Sequence, residues 1–115
     1  MTAPRHSSHI RLSRAALRRN LTFLRSKIGP HAIYSSVVKA NAFGHGIPAF
    51  VPLAEDVGVR HFSVASSLEA AQVHRVLRNA ESRIMIMGIL HDQDLDWVIG
   101  HGVDFFVFDV DRLHV

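Results

Sequence analysis

Four short apolar runs, beginning near residues 32, 62, 83 and 103, alternate with stretches of helical periodicity. Consecutive strands joined by a helix-length crossover lie parallel, and the crossover is right-handed. Runs that are apolar throughout, rather than at every second residue, suit strands covered on both faces. The chain therefore reads as α/β, built on a parallel sheet.

The local signals set the boundaries. Residues 1–8 read as a disordered tail and residues 9–115 as the folded part, with His9–Leu12 a candidate short strand. Ser13 is placed to cap a helix Arg14–Ile28, which Gly29-Pro30 stops. Ala32–Lys39 (AIYSSVVK) is predicted to be a strand and Ala40–Gly46 a glycine-containing loop. The next helix has Pro48 in its first turn and Gly58 at its end, and Pro52 removes a hydrogen bond inside it. Phe62–Ala65 is a strand, and Ser66 with Glu69 has capping-box spacing for a helix to about Asn79. Arg83–Met87 is a strand ending at Gly88. Asp94 is placed to cap a helix to Gly100, Val103–Phe108 is the fourth strand, and Asp109 is placed to cap the next helix.

Four such units in 115 residues are either a small open α/β domain or the first half of a cut (β/α)8 barrel, since a whole barrel takes roughly 250 residues. Without cysteine there is no disulfide framework, thiolate metal site or thiol nucleophile. No apolar run approaches the ~20 residues of a membrane span, and no secretory signal is expected, because the first long apolar run comes after Pro30.

Charge is unevenly spread. Residues 1–54 carry +8 with no acid, and from Glu55, the first carboxylate, onward the chain carries −5. A nucleic-acid arm, a transit peptide and a solvated helix face compete to explain the basic part. The pattern favours the solvated face: Leu17, Leu21, Leu24 and Ile28 form one apolar stripe, and Arg14, Arg18, Arg19 and Arg25 fall mostly off it. No aromatic interleaving or base-reading motif accompanies the arginines, so no nucleic-acid partner is expected.

Ligands of α/β folds lie beyond the carboxyl ends of the strands. There the candidates are Lys39 through Gly46, Ser66-Ser67, Met87-Gly88 and Asp109. Lys39 stands out in a chain with eleven Arg and only two Lys. Strand parity puts it on one face with Ile33, Ser35 and Val37. An amine among apolar neighbours is more readily neutral and can attack an aldehyde. By itself, a lysine at a strand end more often reaches for water.

The surrounding residues reverse that balance. Val37-Val38-Lys39-Ala40-Asn41-Ala42-Phe43-Gly44-His45-Gly46 resembles the pyridoxal-phosphate lysine motif of alanine racemases, V-V-K-A-N-A-Y-G-H-G, with one difference. Leu17–Ile28 resembles that family's first helix, Phe62–Ala71 (FSVASSLEAA) its second strand and following helix, and Ile84–Gly88 (IMIMG) its third strand. The resemblance covers nearly the whole chain but only about the first third of such an enzyme. It implies the first half of a TIM-type (β/α)8 barrel and the cofactor pyridoxal 5'-phosphate. It also implies interconversion of L-alanine and D-alanine for peptidoglycan precursors, in the cytoplasm of a bacterium, by a homodimer.

Carried over by position, Lys39 is the cofactor-binding lysine and one catalytic base, Met87 lies near the cofactor ring, and Phe43 replaces a tyrosine that binds the cofactor phosphate. The family's second base is a tyrosine from the partner subunit. The only tyrosine here, Tyr34, falls on the strand face opposite Lys39, so this chain alone is expected to be inactive. Two other functions fit the same residues: another enzyme of the fold type (a serine or lysine racemase, or an amino-acid decarboxylase), and a non-catalytic pyridoxal-phosphate-binding protein.

No metal site is expected. The nine histidines are scattered, and His91-Asp92-x-Asp94-x-Asp96 lacks the ligand number and central glycine of a calcium loop, so its acids read as helix caps. His45 is placed to order the loop after Lys39, and Gly44 and Gly46 can admit a phosphate closely. His101 and His114 read as surface residues, and Ser66 as a cap rather than a nucleophile.

Overall fold

The computed structural model describes residues 2–115. Its elements, in chain order, are α1 (Arg14–Ile28), β1 (Ser36–Val37), a short helical turn α2 (Lys39–Phe43), α3 (Ile47–Asp56), β2 (His61–Val64), α4 (Ser67–Val76), β3 (Arg83–Ile86), a 3-10 turn (Asp92–Asp94), α5 (Leu95–Gly100), β4 (Asp104–Phe105) and a final 3-10 turn (Asp111–His114). The strands make one sheet in the order β1-β2-β3-β4, every pair parallel. That is the order and direction of four neighbouring strands of a (β/α)8 barrel.

The two sheet faces differ. Val38, Phe62, Val64, Ile84, Ile86 and Val103 point toward the helices and are buried, joining Ile47, Val51 and Ala54 of α3 and Ala70 and Val73 of α4 in one core. The other face is open: Val37 and Phe106 are exposed, and Met85 and Met87 are half-buried. The molecule is a slab 22 Å thick with a radius of gyration of 16.5 Å, against the roughly 13 Å of a compact domain this long.

Several boundaries differ from the sequence expectation. The run 32–39 pairs only at Ser36–Val37, after which Val38, with ψ of 19°, leaves extended backbone, and the run 103–108 pairs only at Asp104–Phe105. No strand forms over His9–Leu12, where the chain is exposed except at half-buried Leu12 and has no ladder partner. Helix α4 ends at Val76 rather than near Asn79, since the N–H groups of Arg78 and Asn79 donate to the Glu55 carboxylate, each at 2.9 Å, instead of to the preceding turn.

The capping signals hold in part. Helix α1 has the expected ends, and the Ser13 side chain accepts from the Ala16 N–H. The Ser66 hydroxyl accepts from the Glu69 N–H at 3.3 Å, while the Glu69 carboxylate reaches back one residue further than expected, to the Ala65 N–H at 3.4 Å. Asp94 does not cap α5 through its side chain; that carboxylate takes the Ser67 hydroxyl at 2.6 Å and so ties the start of α4 to α5. Asp109 accepts from the Arg112 N–H at 2.9 Å, but the helix expected after it is only the 3-10 turn Asp111–His114, whose N-cap is Val110. Helix α3 runs through Pro52, which is buried.

Of the α1 stripe, Leu21 is buried and Leu17 packs on the core, while Leu24 and Ile28 stay exposed. Helix α1 touches mainly the far end of α3, where Arg14 pairs with Asp56 at 2.8 Å and Arg25 donates to the Gly58 carbonyl at 2.7 Å. Among the described residues, no helix is long and apolar enough to cross a membrane.

Candidate active site

The ladder hydrogen bonds bring the carboxyl ends of the strands together. Val37 pairs with Ser63, and the Val38 N–H donates to the Ser63 carbonyl at 2.9 Å. Val64 pairs with Ile86, and the Met87 N–H donates to the Val64 carbonyl at 2.8 Å. Ile86 pairs with Phe105. Counted on from the last paired residues, Lys39, Ala65, Met87 and Phe106 fall level in one row at the carboxyl end of the sheet; Val38, with ψ of 19°, has already left extended backbone, so Lys39 opens α2 rather than closing β1. Lys39 is exposed there, beside half-buried Ala65 and Met87.

Gly88, next in line, passes so close to β2 that a Cβ on it would lie 2.2 Å from the Ala65 carbonyl oxygen. Only glycine allows β2 and β3 to end side by side at this level.

The segment after Lys39 departs from the expected open loop. Ala40, Asn41, Ala42 and Phe43 have φ of 52°, 54°, 56° and 53°, one turn of left-handed helix built without glycine. Left-handed backbone is disfavoured by roughly 1–2 kcal/mol per residue where there is a Cβ, with Asn the most tolerant. Such a turn persists only where its surroundings over-determine it. Here the Ala42 N–H donates to the Val38 carbonyl at 2.9 Å, the Gly46 N–H to the Asn41 carbonyl at 2.9 Å, and the Ile47 N–H to the Asn41 side-chain Oδ1 at 3.0 Å. Ala42 is buried, and the His45 ring stacks on Phe50, centroids 6.3 Å apart. Gly44 and Gly46 have φ of 87° and 90° with open space where a Cβ would be, so the protein needs them for backbone conformation.

The lower half of the open face is polar. The Ser35 and Ser63 hydroxyls lie 2.6 Å apart, Ser35 lies 2.7 Å from Nδ1 of His61, and Arg83 pairs with Asp104 at 2.9 Å. Burial lowers the pKa of His61, Asp104 opposes that shift, and Arg83 adds to it. A cleft of about 720 Å³ also lies at this amino end, lined in part by Arg25, Tyr34, Arg60, His61 and Arg83. It is remote from the carboxyl ends, where α/β folds hold their ligands. Tyr34 packs against the core and does not join Lys39.

Of the residues singled out by sequence, Lys39 and Met87 share the row, and Phe43, 61% exposed, ends the turn after Lys39. Asp109 binds its own turn. Asp92 and Asp94 of the acidic run pair with Arg112 and Ser67 respectively. One residue escaped the sequence reading, Ala65, whose place depends on register; Asn41 fell inside the candidate run Lys39 through Gly46, but without a role of its own, its one local signal being a residue type tolerant of positive φ ahead of two glycines. The row suits the aldehyde and ring of pyridoxal phosphate, an amine with an apolar floor, while Phe43 offers the phosphate no hydroxyl.

Comparison with known proteins agrees. The family model "Alanine racemase, N-terminal domain" matches residues 12–115. The alanine racemase of Chlorobaculum tepidum is 37% identical over 101 residues, 85% of this chain and 26% of that protein. The crystal structure of alanine racemase from Bartonella henselae with covalently bound pyridoxal phosphate superposes with a TM-score of 0.68 at 29% identity, over 80% of this chain and 26% of that one. A histidine racemase from Leuconostoc mesenteroides also has a TM-score of 0.68, at 26% identity over 80% of this chain and 24% of that one. The chain thus spans about a quarter of the length of its relatives. With its four-stranded parallel sheet and Lys39 at the carboxyl end of β1, the chain belongs to the alanine racemase family and corresponds to part of that family's N-terminal barrel domain.

Proposed function

We propose that Lys39 is the residue that binds pyridoxal phosphate, and that the enzyme to which this chain corresponds interconverts L-alanine and D-alanine. What supports this reading is Lys39 just beyond β1, level in register with Ala65, Met87 and Phe106 at the carboxyl end of the sheet. When bound, the cofactor supplies an electron sink for the carbanion left by loss of an α-proton. Lys39 Nζ holds the aldehyde end and moves the α-proton on one face of the substrate. Met87 and Ala65 would offer the ring an apolar surface. Inversion also requires a base on the opposite face. Tyr34, packed into the core, does not supply it, so this chain alone does not racemise alanine. The product serves as a cell-wall precursor, and the whole enzyme works as a cytoplasmic homodimer.

The test is to add pyridoxal phosphate to the purified chain and record the visible absorbance of the lysine-bound cofactor. The band is expected in the wild type and absent in Lys39→Ala; a band in both would show that Lys39 is not the attachment point. A second reading, a racemase for another amino acid, rests on the structural likeness to the histidine racemase, at a TM-score of 0.68 against 0.77 for the alanine racemase of Oenococcus oeni. Turnover of alanine and histidine by a full-length enzyme carrying this segment would separate the two.

A further inference from the structure

We propose that Asn41 is a positioning residue for Lys39, acting through the left-handed turn that it clamps to α3. The inference rests on the reading of Lys39 as the cofactor lysine.

The chain around Lys39 is tethered on both sides. Ahead of it, the Val38 N–H is held by the Ser63 carbonyl of β2. After it, Ala40 to Phe43 run left-handed and join α3, whose Ile47, Val51 and Ala54 are buried in the core. Asn41 makes two bonds across that junction. Its carbonyl accepts from Gly46, and its side-chain Oδ1 accepts from the N–H of Ile47, the first residue of α3. The first N–H groups of a helix have no partner within it, so Oδ1 satisfies a donor that would otherwise turn to water.

If Oδ1 is removed, the strained turn is free to relax toward right-handed backbone. Because β2 and α3 hold the two ends, the adjustment is shared between the glycines before α3 and the dihedrals of Val38 and Lys39. That moves the amine out of the row with Ala65 and Met87. Asn41 touches no reacting group in this account; it sets where Lys39 points.

The chain contains its own standard, since Lys27 on α1 is its only other lysine. The purified chain is treated with pyridoxal phosphate, reduced with borohydride and digested. Labelling at Lys39 and Lys27 is then measured as a ratio by mass spectrometry across a pH series. Asn41→Gly accepts the positive φ without penalty but lacks the acceptor, and Asn41→Asp keeps an acceptor at the same reach.

We expect the ratio to fall about fivefold in Asn41→Gly, the equivalent of one net hydrogen bond, with Asn41→Asp close to wild type. Circular dichroism checks that each variant is folded. If Asn41→Gly is not, Asn41→Ser, with a shorter side chain, takes its place with the same expectation. A folded Asn41→Gly with the wild-type ratio and pH profile overturns the proposal. So does Asn41→Asp falling as far as Asn41→Gly. A wild-type ratio near one would instead remove the reading of Lys39 and this proposal with it, whereas a high ratio that survives in Asn41→Gly removes the positioning role alone.

Discussion

Glu55→Gln tests the packing logic of this domain most directly. Glu55 sits near the end of α3 and is only 6% exposed. One carboxylate oxygen accepts from the Arg78 N–H at 2.9 Å, and the other accepts from the Asn79 N–H at 2.9 Å and the Ser82 hydroxyl at 2.7 Å. Three donors of the α4–β3 connection therefore converge on one buried charge. Bonds to a charged acceptor contribute about 1.5–3 kcal/mol each, and bonds to a neutral one about 1 kcal/mol. Glutamine has nearly the same shape, but it weakens the bonds it keeps and turns an amide N–H toward at least one donor. Arg78 is exposed, so water can rescue part of the loss. We expect a destabilisation of about 2–4 kcal/mol for Glu55→Gln and somewhat more for Glu55→Ala. Urea unfolding followed by Trp97 fluorescence should show a lower midpoint at unchanged slope. Ser82→Ala removes one bond of the three, and its double-mutant cycle with Glu55→Gln should show coupling of about 1 kcal/mol. A Glu55→Gln chain within about 0.5 kcal/mol of wild type, or the absence of coupling, would refute the assignment of Glu55 as the organiser of this connection.

The geometry leads to three further expected outcomes. Gly88→Ala drives a Cβ to 2.2 Å from the Ala65 carbonyl oxygen and should destabilise by about 1–3 kcal/mol or more, while Gly100→Ala, with open space around it, should be neutral or slightly stabilising; equal midpoints in urea would contradict this. His61 is held below the ordinary histidine pKa of 6.5, chiefly by burial, so as the pH falls the unfolded chain takes up a proton at a higher pH than the folded one. Its stabilising contribution is full above about pH 6.5 and is lost as the pH falls through the lowered value; His61→Gln should flatten the pH dependence of unfolding in that window, and an unchanged slope would count against it. Phe43→Tyr restores a hydroxyl next to the lysine turn and should tighten pyridoxal phosphate about tenfold by absorbance titration, whereas an unchanged Kd would mean that Phe43 does not face the phosphate.

Patterns that depend only on near neighbours along the chain are legible in the amino-acid sequence alone. The alternation of apolar and helical runs indicates a parallel sheet, and the fold has four parallel strands in chain order. Helix α1 begins and ends where Ser13 and Gly29-Pro30 place it, because capping and termination are settled within one turn. The motif around Lys39 indicates the family that the comparisons establish.

Features that depend on partners far along the chain are not legible in this way. Asp94 has the spacing of a cap, but the Ser67 hydroxyl, 27 residues away, takes its carboxylate. Helix α4 has residues suited to continue, but it stops where Glu55, from another helix, captures the N–H groups of Arg78 and Asn79. The apolar stripe of α1 is continuous in sequence, while packing buries only the part that reaches α3. The clearest case is the turn after Lys39. Ala40, Asn41, Ala42 and Phe43 have no intrinsic preference for left-handed backbone, and nothing in their order announces it. Sequence by itself determined that a lysine would stand at the exit of the first strand. The sign of φ beyond it was decided only by the tertiary structure, because a chain tethered to β2 at one end and to α3 at the other has to reverse within a few residues.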